Sequence, residues 1–240
     1  MSEPLSGQVA LVTGGTRGIG RSIAERLLEA KASVVICGRQ LGNVSQAVRE
    51  MAVRPGGRIE GKACDVARYE DVAELFRFVR DKFGRLDVLV NNAGVGVFKP
   101  VDQISPEQWR EVVETNLSGA FYCTREAAPL MKQHGGGYII NIGSLAGKNP
   151  MNGGAAYNAS KFGLVGLSEA SMLDLRYENI RVSYIMPGSV ATAFAGAAES
   201  GDGWKISPRD IAETVVHLLQ SPARTLVSRV EMRPTKPPRR

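Results

Sequence analysis

Residues 8–28 read QVALVTGGTRGIGRSIAERLL, and the way this stretch changes character sets the fold class. Gln8 to Thr13 is a short, mostly apolar run of strand length. Gly14, Gly15, Thr16, Arg17, Gly18, Ile19 and Gly20 come next as a glycine-rich turn. Beyond it Ile23, Ala24, Leu27 and Leu28 recur at helical spacing. Strand, glycine turn and helix in that order place backbone N–H groups at the positive end of a helix, where a pyrophosphate can approach. The glycines are spaced G-x-x-x-G-x-G rather than in the commoner G-x-G-x-x-G order, and a glycine turn taken alone is also compatible with a plain left-handed connection.

Further apolar runs of strand length occur at residues 33–37, 58–63, 86–91, 138–142, 181–186 and 226–232, separated by segments of helical pattern. Seven strands alternating with helices imply an α/β architecture, a Rossmann-like doubly wound parallel sheet with helices on both faces. Ligands of such sheets bind beyond the carboxyl ends of the strands. Gly14, Arg39, Asp65, Asn91, Ser144 and Pro187 all fall at or just past those ends. Ser105-Pro106 and Ser207-Pro208 each read as an N-cap followed by proline in the first turn.

The second strand ends in Gly38-Arg39, with no Asp or Glu between Lys31 and Arg49. A carboxylate at this place accepts from the ribose hydroxyls of a cofactor without a 2′-phosphate, whereas a cation suits the phosphate. Arg39, with Arg17 reaching from the glycine turn, therefore points to NADP(H). Either arginine alone is equally compatible with a solvated surface charge.

A second constellation carries chemistry. Tyr157 and Lys161 stand at i and i+4 in a helical stretch, and Ser144 lies upstream at the end of an apolar run. On one helix face the lysine amine can approach the phenol and make it easier to ionise. A free tyrosine titrates near pH 10, roughly three units above neutrality. The Ser144 hydroxyl would hydrogen-bond the same substrate oxygen as the phenol. None of the other five tyrosines has lysine four residues on.

Taken in order, Thr13-Gly14-x-x-x-Gly18-x-Gly20, Asp65, Asn91-Asn92-Ala93-Gly94, Asn116, Ser144, Tyr157-x-x-x-Lys161 and Pro187-Gly188 resemble the short-chain dehydrogenase/reductase family over essentially the whole chain. The resemblance implies catalytic roles for Asn116, Ser144, Tyr157 and Lys161. The glycine turn, from Gly14 through Thr16, Arg17, Gly18 and Ile19 to Gly20, would hold the cofactor. Asp65 and Val66 would face its adenine, and Asn92, Ala93 and Gly94 would floor the adenosine. Lys161 would also bond the nicotinamide ribose. Pro187, Gly188, Val190 and Thr192 would hold the carboxamide. Asn116, within a long helix, would bind a water that relays protons to Lys161. Asp65 is also readable as a turn or cap residue, and Asn116 as a side chain that satisfies buried backbone groups. The resemblance further implies an NADP(H)-dependent reductase of ketones or aldehydes, similar to 3-oxoacyl-carrier-protein reductases, assembled as a homotetramer or homodimer through helices at 109–132 and 155–177. The rival reading is a nicotinamide-binding redox sensor without turnover.

Composition sets the remaining expectations. The 240 residues suit one domain over residues 1–240. The net charge of +6 lies partly in a basic, proline-rich tail at 233–240, which reads as a solvated extension rather than a nucleic-acid reader. Cys37, Cys64 and Cys123 read as buried free thiols, and two distant histidines argue against a metal site. The short polar start and the lack of a membrane-length apolar run fit a cytoplasmic protein acting on a small molecule. In the family, the segment from Ala191 to Trp204 forms the substrate lid. Here it is short and rich in alanine and glycine, with Phe194 and Trp204 as its bulky groups.

Overall fold

The computed structural model describes residues 5–53, 57–194 and 203–238. Seven strands, β1 (Val9–Thr13), β2 (Ser33–Gly38), β3 (Ile59–Ala63), β4 (Val88–Asn91), β5 (Gly137–Ile142), β6 (Ile180–Pro187) and β7 (Arg229–Met232), form one sheet in the order β3-β2-β1-β4-β5-β6-β7. All six pairings are parallel. Strand order reverses between β1 and β4, so the crevice of a doubly wound sheet opens where Thr13 and Asn91 end their strands.

Period-two alternation divides the core. Ala10, Val12, Val34, Ile36, Val88 and Val90 face one layer, built from α1 (Gly18–Glu29), α2 (Leu41–Ala52) and α7 (Pro208–Gln220). Val9, Leu11, Val35 and Leu89 face the other, packed by α3 (Tyr69–Phe83), α5 (Gly119–Lys132) and α6 (Ala155–Leu175). With helices on both faces, central strands must be apolar at every position, and all five residues of β1 are buried. Each fully buried Leu or Ile, such as Leu11 or Leu27, contributes about 1.5–3 kcal/mol relative to exposure.

The helix ends reflect their capping chemistry. The Ser105 hydroxyl accepts from Gln108 N, and Gln108 Oε1 accepts from Ser105 N, each at 3.2 Å, at the start of α4 (Pro106–Val113). Ser207 and Asp210 form the corresponding box for α7. Gly84, at φ +72°, closes α3 in the left-handed conformation that glycine adopts without strain.

The helix expected across 109–132 is not uniform. Between α4 and α5, residues Glu114–Ser118 form one π-helical turn with Asn116 at its centre. A π turn adds a residue to the helical circuit and rotates the helix beyond it, and such turns cluster at functional sites. The second expected long helix forms as α6, continued by a 3₁₀ turn, Arg176–Glu178. Cys37, Cys64 and Cys123 are buried free thiols. Among the described residues, no helix is long and apolar enough to cross a membrane, and no group of three His, Cys, Asp or Glu could hold a metal ion.

Candidate active site at the carboxyl edge of the sheet

The glycine turn is held against the end of β4. Asn92 Nδ2 donates to Thr13 O at 2.9 Å and to Gly14 O at 3.2 Å. Thr13 Oγ1 accepts from the backbone N–H of Asn92 and Ala93, both at 3.0 Å. The fit is tight enough to demand glycine. Gly14 has φ +64°, and a Cβ on Gly20 would stand 2.3 Å from Asn92 Nδ2. Ile19 packs partly buried against the core, and Thr16 sits over Gly38 at the end of β2, its Cγ2 3.1 Å from where a Cβ would stand. Unlike α4 and α7, α1 has no side-chain cap, and its first turn holds no acid. Its first N–H groups and the positive end of its dipole are thus open to an anion. A dinucleotide's pyrophosphate fits this cradle.

At the adenine side the sequence expectations divide. Arg39, 60 % exposed, lies 3.5 Å from Glu111 of α4 and lines a cleft of about 370 Å³ with Asp65, Arg110, Glu111 and Glu114. Asp65 Oδ1 accepts from Ala67 N at 3.1 Å, so its turn role is fulfilled while it also lines the cleft. Val66 is buried against Gly119 and lines a small pocket with Thr13, Ala93 and Asn116. The chain turns immediately after β3, and Val66 is the apolar residue that closes the core beneath it. Arg17 forms the N-cap position of α1.

Asn116, within the π turn, reaches the loop that follows β4. Its Oδ1 accepts from Val95 N at 2.8 Å, and its Nδ2 donates to Val95 O at 2.9 Å and to Ser160 Oγ at 3.0 Å. Through these bonds its side chain fixes the loop after β4 against α6. Gly94 lies directly beside it, its Cβ position 3.3 Å from Asn116 Oδ1.

Ser144 stands just beyond β5, where its hydroxyl accepts from Ala146 N at 3.1 Å. Tyr157 and Lys161 occupy the first two turns of α6. The Lys161 Nζ donates to Ile142 O at 3.0 Å and lies 5.8 Å from the centre of the Tyr157 ring. Burial pushes the Tyr157 phenol above the usual tyrosine value, while a hydrogen bond with Ser144 pulls it back. Burial also lowers the Lys161 ammonium to about 8. The direction expected for the phenol is therefore reversed in the protein alone. Moving both groups out of water penalises each charged form.

On the far side, Pro187 ends β6 and Gly188 N donates to Met232 O at 2.8 Å. Val190 pairs with Ile206, and Thr192 packs over the glycine turn, its Cγ2 3.5 Å from the Cβ position of Gly18. Most of the expected lid, residues 195–202, lies outside the described residues. Of the tail, Pro234 packs on Gly188, while residues 239–240 lie outside the described residues.

A family profile described as short chain dehydrogenase matches residues 8–203. The chain belongs to the short-chain dehydrogenase/reductase family, and it is an oxidoreductase. A metagenomic short-chain oxidoreductase, solved in complex with NADP, is 40 % identical at a TM-score of 0.86, covering 98 % of this chain and 100 % of that one. The alcohol dehydrogenase of the archaeon Thermococcus sibiricus, complexed with 5-hydroxy-NADP, is 27 % identical at a TM-score of 0.90, covering 97 % and 99 %. An uncharacterized oxidoreductase of Staphylococcus saprophyticus is 33 % identical over 230 residues, 96 % of this chain and 98 % of that protein.

Several contacts that build this short-chain dehydrogenase/reductase site were not legible in the sequence. Thr13, named in the motif but given no role, ties β1 to Asn92 and Ala93. Phe98 meets the Tyr157 ring edge to face at 5.4 Å, a contact between distant segments that no local pattern encodes. Asn91, Asn141 and Ser168 form a buried chain beneath the site, Asn91 Nδ2 to Asn141 Oδ1 and Asn141 Nδ2 to Ser168 Oγ, each at 2.8 Å.

Proposed function

We propose that this oxidoreductase is an NADP(H)-dependent carbonyl reductase that also runs as an alcohol dehydrogenase, with Tyr157 as proton donor. The observation that carries the reading is the meeting of Ser144, Tyr157 and Lys161 from two separate elements, at the same sheet edge as the uncapped glycine turn. When bound, the cofactor supplies or accepts a hydride at its nicotinamide ring. Everything else falls to this chain's own residues.

The Tyr157 phenol, kept protonated by burial, donates its proton to the substrate oxygen as the alcohol forms. The Ser144 hydroxyl hydrogen-bonds that oxygen and stabilises its developing negative charge. Lys161, held on Ile142 O, brings a positive charge that favours the departing phenolate, and it bonds the nicotinamide ribose. Asn116 positions the loop after β4. The glycine turn, Asn92, Ala93 and Gly94 hold the dinucleotide's phosphates and adenosine, while Pro187, Gly188, Val190 and Thr192 hold the nicotinamide end. Arg39 and Arg17 receive the 2′-phosphate. The two related structures bound to NADP or its 5-hydroxy form support this cofactor assignment.

A single catalytic unit over residues 1–240 that assembles through its long helices completes the proposal. Trp109 on α4, Phe121 on α5, and Phe162 and Leu173 on α6 leave apolar surface exposed, which supports that assembly. The test is NADPH oxidation against a panel of ketones and aldehydes, with NADH run in parallel. Turnover with NADPH well above that with NADH is expected. Tight NADPH binding without turnover of any carbonyl would instead support the sensor.

A further inference from the structure

Three aromatic side chains from separate segments meet beside the proposed proton donor. The Phe98 ring lies 5.4 Å from that of Tyr157 at 61°, and the Phe194 ring lies 5.8 Å from it at 54°. Both phenylalanines converge over Gly96, where a Cβ would stand 2.8 Å from Phe194 Cε1 and 3.0 Å from Phe98 Cε2. Glycine at 96 is what lets the two rings close into one wall above the tyrosine.

The wall is anchored. Lys99 N donates to Gly153 O at 2.8 Å, pinning the loop that carries Phe98 to the approach of α6. Ala191 N donates to Ile206 O at 2.9 Å, and Ile206 N to Ser189 O at 3.0 Å, pinning the segment that leads to Phe194. Yet both rings remain open, Phe98 43 % and Phe194 38 % exposed, and Met151, in the turn that precedes α6, is 48 % exposed. Apolar surface left in water beside a polar reaction centre gains by being covered. Lys99, the neighbour of Phe98 in the chain, has its Nζ on Gln108 Oε1 at 3.2 Å.

Resting on the reductase reading above, we propose that the substrate class is aryl ketones, the aromatic ring lying against Phe98 and Phe194 with its carbonyl at Tyr157 and Ser144. Aromatic rings attract one another edge to face as well as by area, which suits this wall to a flat ring rather than to a sugar or a charged thioester carrier. In the reaction the carbonyl carbon takes the hydride that NADPH supplies and the oxygen takes the Tyr157 proton, leaving NADP+ and a secondary alcohol. The phenol then regains its proton from solvent.

The test compares acetophenone with 2-butanone, a ketohexose and a 3-oxoacyl thioester in steady-state assays of the full chain, with Phe98→Ala and Phe194→Ala alongside. Acetophenone is expected to have the highest kcat/KM. Each substitution should raise its KM about five- to tenfold, lowering its advantage over 2-butanone. Gly96→Val, which drives the rings apart while keeping both, should lower that advantage too. Binding of 1-phenylethanol to the NADP+ complex, read by saturation-transfer NMR, should weaken in the same variants. A wild type that prefers the sugar or thioester, or an aryl preference untouched by all three substitutions, would overturn the aryl assignment and leave the reductase reading standing. Absence of turnover with every carbonyl would overturn both.

Discussion

Replacing Gly20 with alanine tests the junction on which the cofactor cradle depends. The added Cβ would lie 2.3 Å from Asn92 Nδ2 and 2.4 Å from Gly14 O, more than ~1 Å inside ordinary non-bonded contact. Neither neighbour has an easy retreat. Asn92 is held by Thr13 O and Gly14 O, and Gly14 sits at φ +64° so close to Ala93 that a Cβ on it would stand 3.0 Å from the Ala93 Cα. Overpacking of this kind costs about 1–3 kcal/mol, and each part-buried hydrogen bond of Asn92 that lengthens costs about 0.5–1.5 kcal/mol more. A loss of about 2–5 kcal/mol is expected, a large part of the stability of an ordinary domain. Urea unfolding followed by circular dichroism would show it as a lower midpoint at unchanged slope. Because the displaced atoms belong to the proposed phosphate cradle, the NADPH Kd measured by fluorescence should rise at least about tenfold. Gly42→Ala is the control, since its Cβ would meet nothing within 4 Å in α2, and alanine should stabilise the helix by up to ~1 kcal/mol. If Gly20→Ala unfolds within ~0.5 kcal/mol of the wild type and binds NADPH unchanged, the packing argument for this turn is wrong.

The same geometry sets other outcomes. Tyr157→Phe should lower kcat by about 10²–10⁴ while NADPH affinity stays within a few fold, and turnover near the wild-type rate would remove the proton-donor assignment. Arg39→Ala should weaken NADPH binding about tenfold, less than a full phosphate contact because Arg39 must first leave Glu111, with NADH binding nearly unchanged by isothermal titration. The Lys161 ammonium is held at about 8 in the folded protein, below the ~10.4 of an unfolded lysine. Its charge thus opposes folding by about 3 kcal/mol below pH 8, and this penalty fades as pH rises from 8 to 10.4, where the unfolded chain binds more protons. Unfolding midpoints of the cofactor-free wild type should therefore gain on those of Lys161→Met across that window, and a constant gap would contradict the buried charge.

The doubly wound sheet was legible because its determinants are local. Strand runs such as 8–13 and 138–142 are apolar at successive positions, and helices such as Pro106–Val113 carry their own start signals in Ser105 and Pro106. The glycine turn was legible for the same reason, as was the Tyr157 to Lys161 spacing, which needs only a helix. The interruption at Asn116 was not. Glu114 to Ser118 offers no proline or glycine, and the π turn is stabilised by bonds from Asn116 to Val95 and Ser160 on other elements. The burial of Val66 and the pairing of Arg39 with Glu111 were likewise hidden, since both depend on what distant helices bring near.

The order of residues was thus enough for the α/β class, the strand ends that collect the motifs, and the candidate proton donor with its lysine. Those features arise from backbone preference and side-chain periodicity over a dozen residues or fewer. The electrostatic state of that pair needed the packed molecule, because desolvation is a property of everything around a group: it raised the phenol and lowered the amine where spacing alone implied mutual help. Packing also made Phe98 and Phe194, 96 positions apart in the chain, close on one tyrosine, a meeting that exists only once the sheet has brought their loops to the same edge.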